Sequence, residues 1–411
     1  MTGPAGTDPA RTGPVPPGPE GGAPAAAPGA PAAGAAGAGA PAPGAAAPAV
    51  VPTGPGPRKV AVLGAGSWGT TFAKVLADSA RESAHARHEP LRRTVVLWGR
   101  DAAAMGHLAR THVNDRYVPG IRLPELLAAT GDLGEAVAGA DLVVLAVPAQ
   151  SLRSQLPAVA RHVAPDAVVL SLAKGLEGGT GLRMSEVVAE ELGRGTGLGA
   201  EHWRARTCVL SGPNLAMEIA EEQPTASVVA APDPALAAWV AHACRTRYFR
   251  PYTNTDVVGT EIGGVVKNVI ALSVGIADGR HFGENSKASI ITRGLAETTR
   301  LALALGGRIE TLSGLAGMGD LVATCSSPLS RNRTAGRLLG LGKTLAEVQE
   351  EMTQTAEGIK SAPAVLELAR RHGVEMPITE AVVAILRERI SVDELAPLLL
   401  GRELKSEGTA P

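Results

Sequence analysis

The chain has 411 residues, enough for a few domains with large cores, and its 39 basic and 40 acidic residues give a formal net charge of -1. This balance argues against a polyanion-binding surface, so we expect no nucleic-acid partner and no attraction to membranes. The cysteines Cys208, Cys244 and Cys325 lie far apart without C-x-x-C spacing, which argues against a disulfide framework or a zinc site and fits the cytoplasm.

Residues 1–57 are dominated by alanine, proline and glycine and contain almost no large side chains. Such a segment buries too little apolar surface to offset the entropy lost on ordering, so we expect a disordered tail. The recurring proline and glycine would break a spanning helix, and the first residues lack the charged-then-apolar order of a signal peptide. No transmembrane segment is therefore predicted.

From Arg58 onward, short apolar runs alternate with helical patterns, which is typical of βα units around a parallel sheet buried on both faces. The candidate strands are KVAVLGAG, TVVLWGR, DLVVLAVP, AVVLSLAKG, TCVLSGP, ASVVAAP and YFRPYT. After the helix that follows the first strand, SARESAHARHEPLRR is longer and more charged than a tight connection needs, and we interpret it as a solvated loop. Beyond Thr255, apolar spacing near three and four predicts helices. We expect an α/β domain over residues 58–252 and an all-α domain over residues 253–405.

The first βα junction, VAVLGAGSWGTTFAKVLA, contains Gly64, Gly66 and Gly69 in a G-x-G-x-x-G pattern that directly follows a strand and opens a helix. Glycines there permit a tight turn and close approach of the backbone to a pyrophosphate, and the helix N-terminus supplies amide donors. Such a pattern alone could be a chance turn, but its placement favours dinucleotide binding. At the end of the second strand, Arg100 suits the 2′-phosphate of NADP, or is an ordinary loop arginine, while the adjacent Asp101 keeps NAD open.

Ligands of open α/β sheets bind beyond the carboxyl ends of the strands, so residues at those ends are candidates for a site. This rule selects Pro148, Lys174 and the SGPN turn from Ser211 to Asn214. Lys174 directly follows a strand and precedes a glycine, which would place it over the crevice beside the cofactor. The alternative is a solvated loop lysine.

The stretch EIGGVVKNVIALSVG predicts a buried helix, yet it contains Lys267 and Asn268. A buried, unpaired ammonium group is rare, so Lys267 should pair, reach solvent at a helix edge or titrate abnormally. The nearly uncharged stretch GLAGMGDLVATCSS offers Asp320 as a partner, although this aspartate could instead cap the helix after it.

Three more patterns lie in the helical part. SSPLSRNRTAGR clusters polar side chains from Arg331 to Arg333, which suit a phosphate, or alternatively a solvated helix face. GRLLGLGKT resembles a Walker A loop, but Arg337 stands where a glycine is required and no strand precedes it. Thr344 and Glu347 instead predict a capping box. The nine histidines show no H-E-x-x-H spacing, so no metal is expected.

Together these residues resemble the bacterial NAD(P)-dependent glycerol-3-phosphate dehydrogenase family. GAGSWGT, AVPAQ, AKGLE, SGPN, EIGGVVKNVIA, ITRGLAE, GLAGMGDLVATC and SRNR are similar to its motifs in the same order, across residues 58–401. The resemblance implies a Rossmann-type dinucleotide-binding domain, an all-helical domain and an active site in the cleft between them. It also implies reversible reduction of dihydroxyacetone phosphate to sn-glycerol 3-phosphate for phospholipid synthesis, with a homodimer as a further family expectation.

The resemblance implies roles for individual residues. Lys267 would be the catalytic acid/base, donating a proton to the alkoxide that hydride transfer to C2 creates. Lys174, Asp320 and Thr324 would surround the oxygen atoms of the substrate, and Asn268, Arg331 and Asn332 would hold its phosphate. Gly212, Asn214 and Ser330 complete the expected substrate site. The expected cofactor residues are Gly64, Gly66, Ser67, Trp68, Gly69, Arg100, Lys174, Ala216, Arg331 and Glu357. NADP is slightly preferred over NAD because of Arg100.

Two other functions remain open from the sequence. One is a dehydrogenase of the same architecture that acts on a different hydroxy acid or hydroxyacyl substrate, although the SRNR cluster favours a phosphate-bearing one. The other is a catalytically silent NADP-binding sensor, against which the presence of Lys174, Lys267 and Asp320 together argues. The tail and the long segment before Thr94 depart from the family pattern. The departure of this segment affects the expected contacts with the adenosine of the cofactor, whereas the tail should not affect the chemistry.

Overall fold

The computed structural model describes residues 51–394, apart from residues 53, 55, 89, 91 and 353–355. These residues belong to one compact unit. Most of the expected tail, and residues 395–405 of the expected helical domain, lie outside the described residues.

One mixed sheet organises the first part of the described chain. Its eight strands are β1 (Lys59–Leu63), β2 (Thr94–Trp98), β3 (Leu127–Thr130), β4 (Leu142–Leu145), β5 (Val168–Ser171), β6 (Thr207–Ser211), β7 (Thr225–Ala230) and β8 (Phe249–Asn254). The strand order is β3-β2-β1-β4-β5-β6-β7-β8. All seven predicted strands are present. β3 was not predicted, because its sequence, LAAT, is half alanine, which is depleted in strands.

The direction of the strands differs from the expected parallel sheet at one edge. β1 to β6 run parallel, whereas β7 pairs antiparallel with β6 and β8 pairs parallel with β7. The order reverses between β1 and β4, since β1 connects onward to β2 on one side and pairs with β4 on the other. In an open α/β sheet this switch point opens the crevice in which ligands bind.

Helices cover both faces of this sheet. They are α1 (Ser67–Arg87), α2 (Ala102–Thr111), α3 (Leu133–Val137), α4 (Ala149–Ala160), α5 (Met184–Thr196), α6 (Ala200–Arg206), α7 (Ala216–Ala220) and α8 (Pro234–Cys244). The expectation of a solvated loop in SARESAHARHEPLRR was wrong, because α1 continues to Arg87 and buries Ser79 and Ala80. Alanine, glutamate and arginine favour helix, and the segment has no glycine or proline before Pro90.

The second part of the described chain is helical, as predicted. Its elements are α9 (Val257–Gly279), α10 (Glu284–Ala304), α11 (Ile309–Ser313), a π-helical turn (Leu315–Gly319), α12 (Asp320–Ser326), α13 (Arg331–Gly340), α14 (Leu345–Glu351), α15 (Glu357–Arg371), α16 (Pro377–Leu386) and a 3₁₀ turn (Val392–Glu394). The predicted capping box of Thr344 and Glu347 is confirmed at the start of α14.

Helix α9 is the centre of the helical part, and it packs against α10, α12, α13 and α15. It is long and apolar enough to cross a membrane, but 89% of its most apolar window is buried, which is the property of a core helix. Glycines allow α13 to approach α9 closely: a Cβ on Gly336 would lie 2.1 Å from the Leu272 carbonyl oxygen. This close crossing places the start of α13 beside the middle of α9.

Candidate active site

The turn between β1 and α1 uses its glycines for different purposes. Gly64 has φ +121°, and a Cβ on Gly69 would lie 1.9 Å from the Gly64 carbonyl oxygen, so both are required for the turn and its packing. A Cβ on Gly66 would meet nothing within 4 Å. The helix N-terminus therefore faces open space across a residue without a side chain, which is the arrangement that admits a pyrophosphate.

Arg100 and Asp101 follow β2 and were both candidates for contact with the adenosine end of the cofactor, but their side chains lie in different environments. Asp101 is the N-cap of α2, since its side chain accepts a hydrogen bond from the Ala104 amide at 3.0 Å. Arg100 precedes this cap and is exposed. The aspartate thus has a local structural role, whereas the guanidinium group faces solvent at the carboxyl end of a strand.

Two lysines share one buried carboxylate beyond the carboxyl ends of β5 and β6. Lys174 Nζ donates to Asp320 Oδ2 at 2.6 Å, and Lys267 Nζ donates to Asp320 Oδ1 at 2.5 Å. Lys267 also donates to Thr324 Oγ1 at 2.7 Å. Asp320 is 1% exposed and Lys267 is 7% exposed. The alternatives of a snorkelling Lys267 and a solvated loop Lys174 were therefore wrong, while the predicted pairing of Lys267 with Asp320 is present.

Lys174 also joins the cluster to the SGPN turn. Its ammonium group donates to Asn214 Oδ1 at 2.8 Å and to the Gly212 carbonyl oxygen at 3.2 Å. Ser211 lies at the same point, with Oγ 3.5 Å from Asp320 Oδ2. The carboxyl ends of two neighbouring strands and the start of α12 thus meet at one place.

Burial and charge act in opposite directions on this cluster. The pKa of Lys174 is lowered to about 7, chiefly by burial and in part by nearby Lys267, against the raising effect of Asp320. Burial alone would raise the pKa of Asp320, but the two ammonium groups outweigh it and hold that pKa below its ordinary value. Asp320 is therefore ionised at neutral pH, and Lys174 changes charge close to neutrality.

Two adjacent glycines of EIGGVVKN allow α9 to reach this position. A Cβ on Gly264 would lie 2.6 Å from Ser211 Oγ and 3.6 Å from Lys174 Cδ, and a Cβ on Gly263 would lie 2.6 Å from the Ala316 carbonyl oxygen. One glycine thus faces the sheet and the other faces the π-helical turn that leads into Asp320. Such turns interrupt helices frequently at functional sites.

A second polar cluster links α9, α13 and α15. Asn332 Nδ2 donates to Asn268 Oδ1 at 2.9 Å, and Asn332 Oδ1 accepts from the Gly358 amide at 2.8 Å. Ser330 caps α13 by accepting from the Arg333 amide at 3.2 Å. The expected grouping of Arg331 to Arg333 is divided, because Arg333 pairs with Asp278 at 3.0 Å, away from Asn268.

Three residues of the expected substrate and cofactor sets hold buried polar atoms that have no hydrogen-bond partner in the described part of the chain. They are Trp68 Nε1, Asn214 Nδ2 and Glu357 Oε2. Burial raises the pKa of Glu357 against the opposing charge of Arg331. Because buried polar groups are normally satisfied, these three atoms lack a partner that a bound ligand would supply.

Two supporting residues were missed by sequence reasoning. Asn114 Nδ2 donates to the Ala65 carbonyl oxygen at 3.1 Å and to Thr70 Oγ1 at 2.8 Å, so it braces the glycine turn. Thr71 Oγ1 donates to the Ala216 carbonyl oxygen at 3.1 Å, which ties α1 to α7. Their sequence contexts resemble an ordinary turn and an ordinary helix, and no local signal identifies them.

Comparisons with known proteins agree with this arrangement. Models of NAD-dependent glycerol-3-phosphate dehydrogenase match the chain, the N-terminal one over residues 59–237 and the C-terminal one over residues 256–397. A glycerol-3-phosphate dehydrogenase (NAD(P)+) of Thermobifida fusca is 55% identical over 349 residues, covering 85% of this chain and 98% of the relative. The same enzyme of Streptomyces griseus is 54% identical over 355 residues, covering 86% and 98%. The crystal structure of a glycerol-3-phosphate dehydrogenase from Coxiella burnetii has a TM-score of 0.75 at 36% identity, covering 84% of this chain and 99% of that one.

Proposed function

The chain belongs to the NAD-dependent glycerol-3-phosphate dehydrogenase family, and from this premise we propose that it reduces dihydroxyacetone phosphate reversibly to sn-glycerol 3-phosphate with NAD(P)H. The observation that carries the proposal is the carboxylate of Asp320 shared by the ammonium groups of Lys174 and Lys267. This cluster lies at the carboxyl ends of the parallel strands, where open α/β sheets bind their ligands. The product would supply phospholipid synthesis.

The residues expected to hold the cofactor fit a dinucleotide. Open space in front of Gly66 and the unpartnered polar atoms of Trp68 and Glu357 support this assignment. Bound NAD(P)H supplies the hydride for C2 of the substrate. The proposed cofactor residues are Gly64, Gly66, Ser67, Trp68, Gly69, Arg100, Lys174, Ala216, Arg331 and Glu357.

Lys267 is proposed as the acid/base. Reduction of the C2 carbonyl creates an alkoxide oxygen, and an adjacent ammonium group both stabilises the developing charge and donates the missing proton. Asp320 and Thr324 hold the Lys267 ammonium group in one place, which a proton donor requires. In the reverse reaction, neutral Lys267 accepts the hydroxyl proton.

Lys174 is proposed to bind the oxygen atoms of the substrate together with Gly212, Asn214 and Thr324. Its ammonium group already lies against the SGPN turn, and the unpartnered Asn214 Nδ2 beside it supplies a further donor. Because its pKa is lowered to about 7 by burial, the strength of this electrostatic contact depends on pH near neutrality.

The phosphate of the substrate is proposed to bind at the start of α13. The helix N-terminus offers amide donors and the positive end of the helix dipole, and Arg331 offers a guanidinium group that pairs well with phosphate. Asn268, Ser330 and Asn332 are the other proposed ligands, and two of them already share a hydrogen bond.

Arg100 supports NADP as the slightly preferred coenzyme. An exposed guanidinium group at the end of β2 suits a 2′-phosphate, while the neighbouring Asp101 caps α2. We also propose a cytoplasmic location, a homodimer, and a division into a Rossmann-type domain over residues 58–252 and a helical domain over residues 253–405. We propose that the reaction uses no metal; among the described residues, no group of three or more His, Cys, Asp or Glu could hold one.

The test is the oxidation of NADPH and of NADH by the purified protein, with dihydroxyacetone phosphate and with unphosphorylated dihydroxyacetone. We expect turnover that requires the phosphate. Tight cofactor binding without turnover would favour a dehydrogenase of another hydroxy acid or a silent sensor. Lys267→Ala should abolish turnover and leave NADPH binding nearly intact, whereas Lys343→Ala, which changes a lysine that pairs with Glu351 near the surface, should leave both unchanged.

A further inference from the structure

A carboxylate from α9 caps the start of α5. Glu261 is 7% exposed and lies less than two turns before Lys267 on the same helix. Its Oε1 accepts from the Ser185 amide at 2.9 Å, and its Oε2 accepts from Ser185 Oγ at 2.6 Å and from Arg183 Nη1 at 2.8 Å. Both carboxylate oxygens are therefore engaged by residues of the first turn of α5.

The same contact fixes the loop that follows Lys174. Leu176 and Arg183 form an antiparallel bridge, and the Glu177 amide donates to the Leu182 carbonyl oxygen at 2.9 Å, so residues 176–183 close into a narrow loop. Arg183 lies at the base of this loop, opposite Leu176, which follows Lys174 by two residues. The Arg183–Glu261 pair thus joins the segment carrying Lys174 to the helix carrying Lys267.

We propose that Arg183 and Glu261 are positioning residues that set the separation of Lys174 and Lys267 independently of Asp320. This inference rests on the proposed function. When Lys267 transfers its proton, its attraction to Asp320 weakens, and Asp320 alone would no longer hold both lysines. The guanidinium group of Arg183 does not titrate at working pH, so its pair with Glu261 persists through the reaction.

Glu261→Gln removes the charge and retains an oxygen that accepts from the Ser185 amide. We expect kcat with dihydroxyacetone phosphate to fall by about 10- to 100-fold, the scale of a displacement of a reacting group by up to 1 Å. The Kd for NADPH should change far less than kcat, because Lys174 is the only proposed cofactor residue on the segments that this contact joins. Glu380→Gln is the matched control, since Glu380 forms an exposed pair with Arg370 and should leave kcat unchanged.

A double variant separates positioning from simple stabilisation. Glu261→Gln alone leaves Arg183 with Glu186 as its remaining partner and lowers the Tm, whereas Glu261→Gln combined with Arg183→Met removes both members of the buried pair and should recover part of that loss. We expect kcat to remain low in the double variant. Recovery of kcat in parallel with Tm, or a Glu261→Gln protein with the kcat of the wild type, overturns the proposal.

A second readout does not need turnover. Labelling of Lys174 by an amine-reactive reagent, quantified by mass spectrometry in the protein without ligands, should be faster in Glu261→Gln than in the wild type. An unchanged labelling rate counts against the pair. Absence of turnover in the wild type would contradict the proposed function, while labelling would still decide the positioning role. Should Glu261→Gln fail to fold, Ser185→Ala removes the 2.6 Å hydrogen bond to Glu261 and a 3.3 Å hydrogen bond from Arg183 but keeps the Arg183–Glu261 pair. It should change both readouts in the same direction by a smaller factor.

Discussion

Replacing Asp320 by asparagine tests the charge arrangement at the centre of the proposed active site. The carboxylate is buried and accepts hydrogen bonds from Lys174 Nζ at 2.6 Å and from Lys267 Nζ at 2.5 Å. Asparagine keeps the size of the side chain, removes its charge, and turns an NH₂ donor toward one of the two ammonium donors. Both lysines lose the anion that they share.

The magnitude follows from the burial of the three groups. Removing one partner of a buried ion pair costs about 3–5 kcal/mol. Lys174, whose pKa burial lowers to about 7, loses its proton at pH 8 and escapes most of this cost, so the penalty falls mainly on Lys267. We expect this cost to raise the free energy of the transition state. Because about 1.36 kcal/mol corresponds to a factor of ten in rate, kcat/KM for dihydroxyacetone phosphate should fall by about 10²- to 10⁴-fold.

The assay is the initial rate of NADPH oxidation over a range of dihydroxyacetone phosphate concentrations at pH 8, with the Kd for NADPH measured separately by fluorescence. Asp233→Asn is the matched control, because Asp233 caps α8 through the Ala235 amide at 2.8 Å and asparagine caps equally well. We expect the control to keep wild-type kcat/KM. A folded Asp320→Asn protein whose kcat/KM stays within about tenfold of the wild type refutes the reasoning, since the predicted loss is at least 10²-fold.

Four further changes test other parts of the structure. Gly264→Ala inserts a Cβ 2.6 Å from Ser211 Oγ and should lower the free energy of unfolding in urea by about 1–3 kcal/mol. Gly106→Ala on α2 is its control: the nearest atom to the new Cβ would be 3.5 Å away, so the free energy of unfolding should rise by up to about 1 kcal/mol. Arg100→Ala should raise the KM for NADPH about 10- to 100-fold and change that for NADH little, since a charge-assisted hydrogen bond contributes about 1.5–3 kcal/mol. The wild-type kcat/KM should fall as pH rises through about 7, where Lys174 loses its charge, and Lys174→Met should remove this inflection. Burial raises the pKa of Glu297 from 4.5 to about 7. The stability that its proton contributes is therefore fully present below about pH 4.5 and is lost as pH rises through 7. In urea unfolding, the stability of the wild type relative to Glu297→Gln should shrink by up to about 3 kcal/mol over that range.

Each of these expectations has a contrary result. Equal stability changes for Gly264→Ala and Gly106→Ala would mean that the close contact with the sheet is absent. Equal effects of Arg100→Ala on both coenzymes would remove the basis for an NADP preference. A pH inflection that survives Lys174→Met belongs to another group. A pH-independent difference between the wild type and Glu297→Gln would show that folding does not raise the pKa of this carboxyl group.

Much of the fold follows from local sequence patterns. Six short apolar runs and the segment YFRPYT predicted seven of the eight strands. The glycine spacing after KVAVL predicted the β1–α1 turn, because a positive φ and close packing leave few alternatives to glycine at Gly64 and Gly69. The wrong interpretation of SARESAHAR as a loop arose from its charge. Its alanine, arginine and glutamate residues favour helix, and α1 buries its first two residues, Ser79 and Ala80. The antiparallel direction of β7 was not predicted, because its TASVVA sequence contains the continuous apolar run that is typical of a buried parallel strand.

The active site shows the same division between sequence and structure. The sequence by itself predicted that Lys267 lies on a buried helix, where its ammonium group must pair, reach solvent or titrate abnormally, and it offered Asp320 as one possible partner. Only the tertiary structure decided that Asp320 serves Lys174 as well, that Arg333 pairs with Asp278 instead of joining Asn332, and that Glu261 binds the start of α5. These contacts join residues from 53 to 146 positions apart, and their geometry depends on how closely α9 approaches the sheet and α13. That approach is set by packing between elements, which no single segment of the sequence encodes.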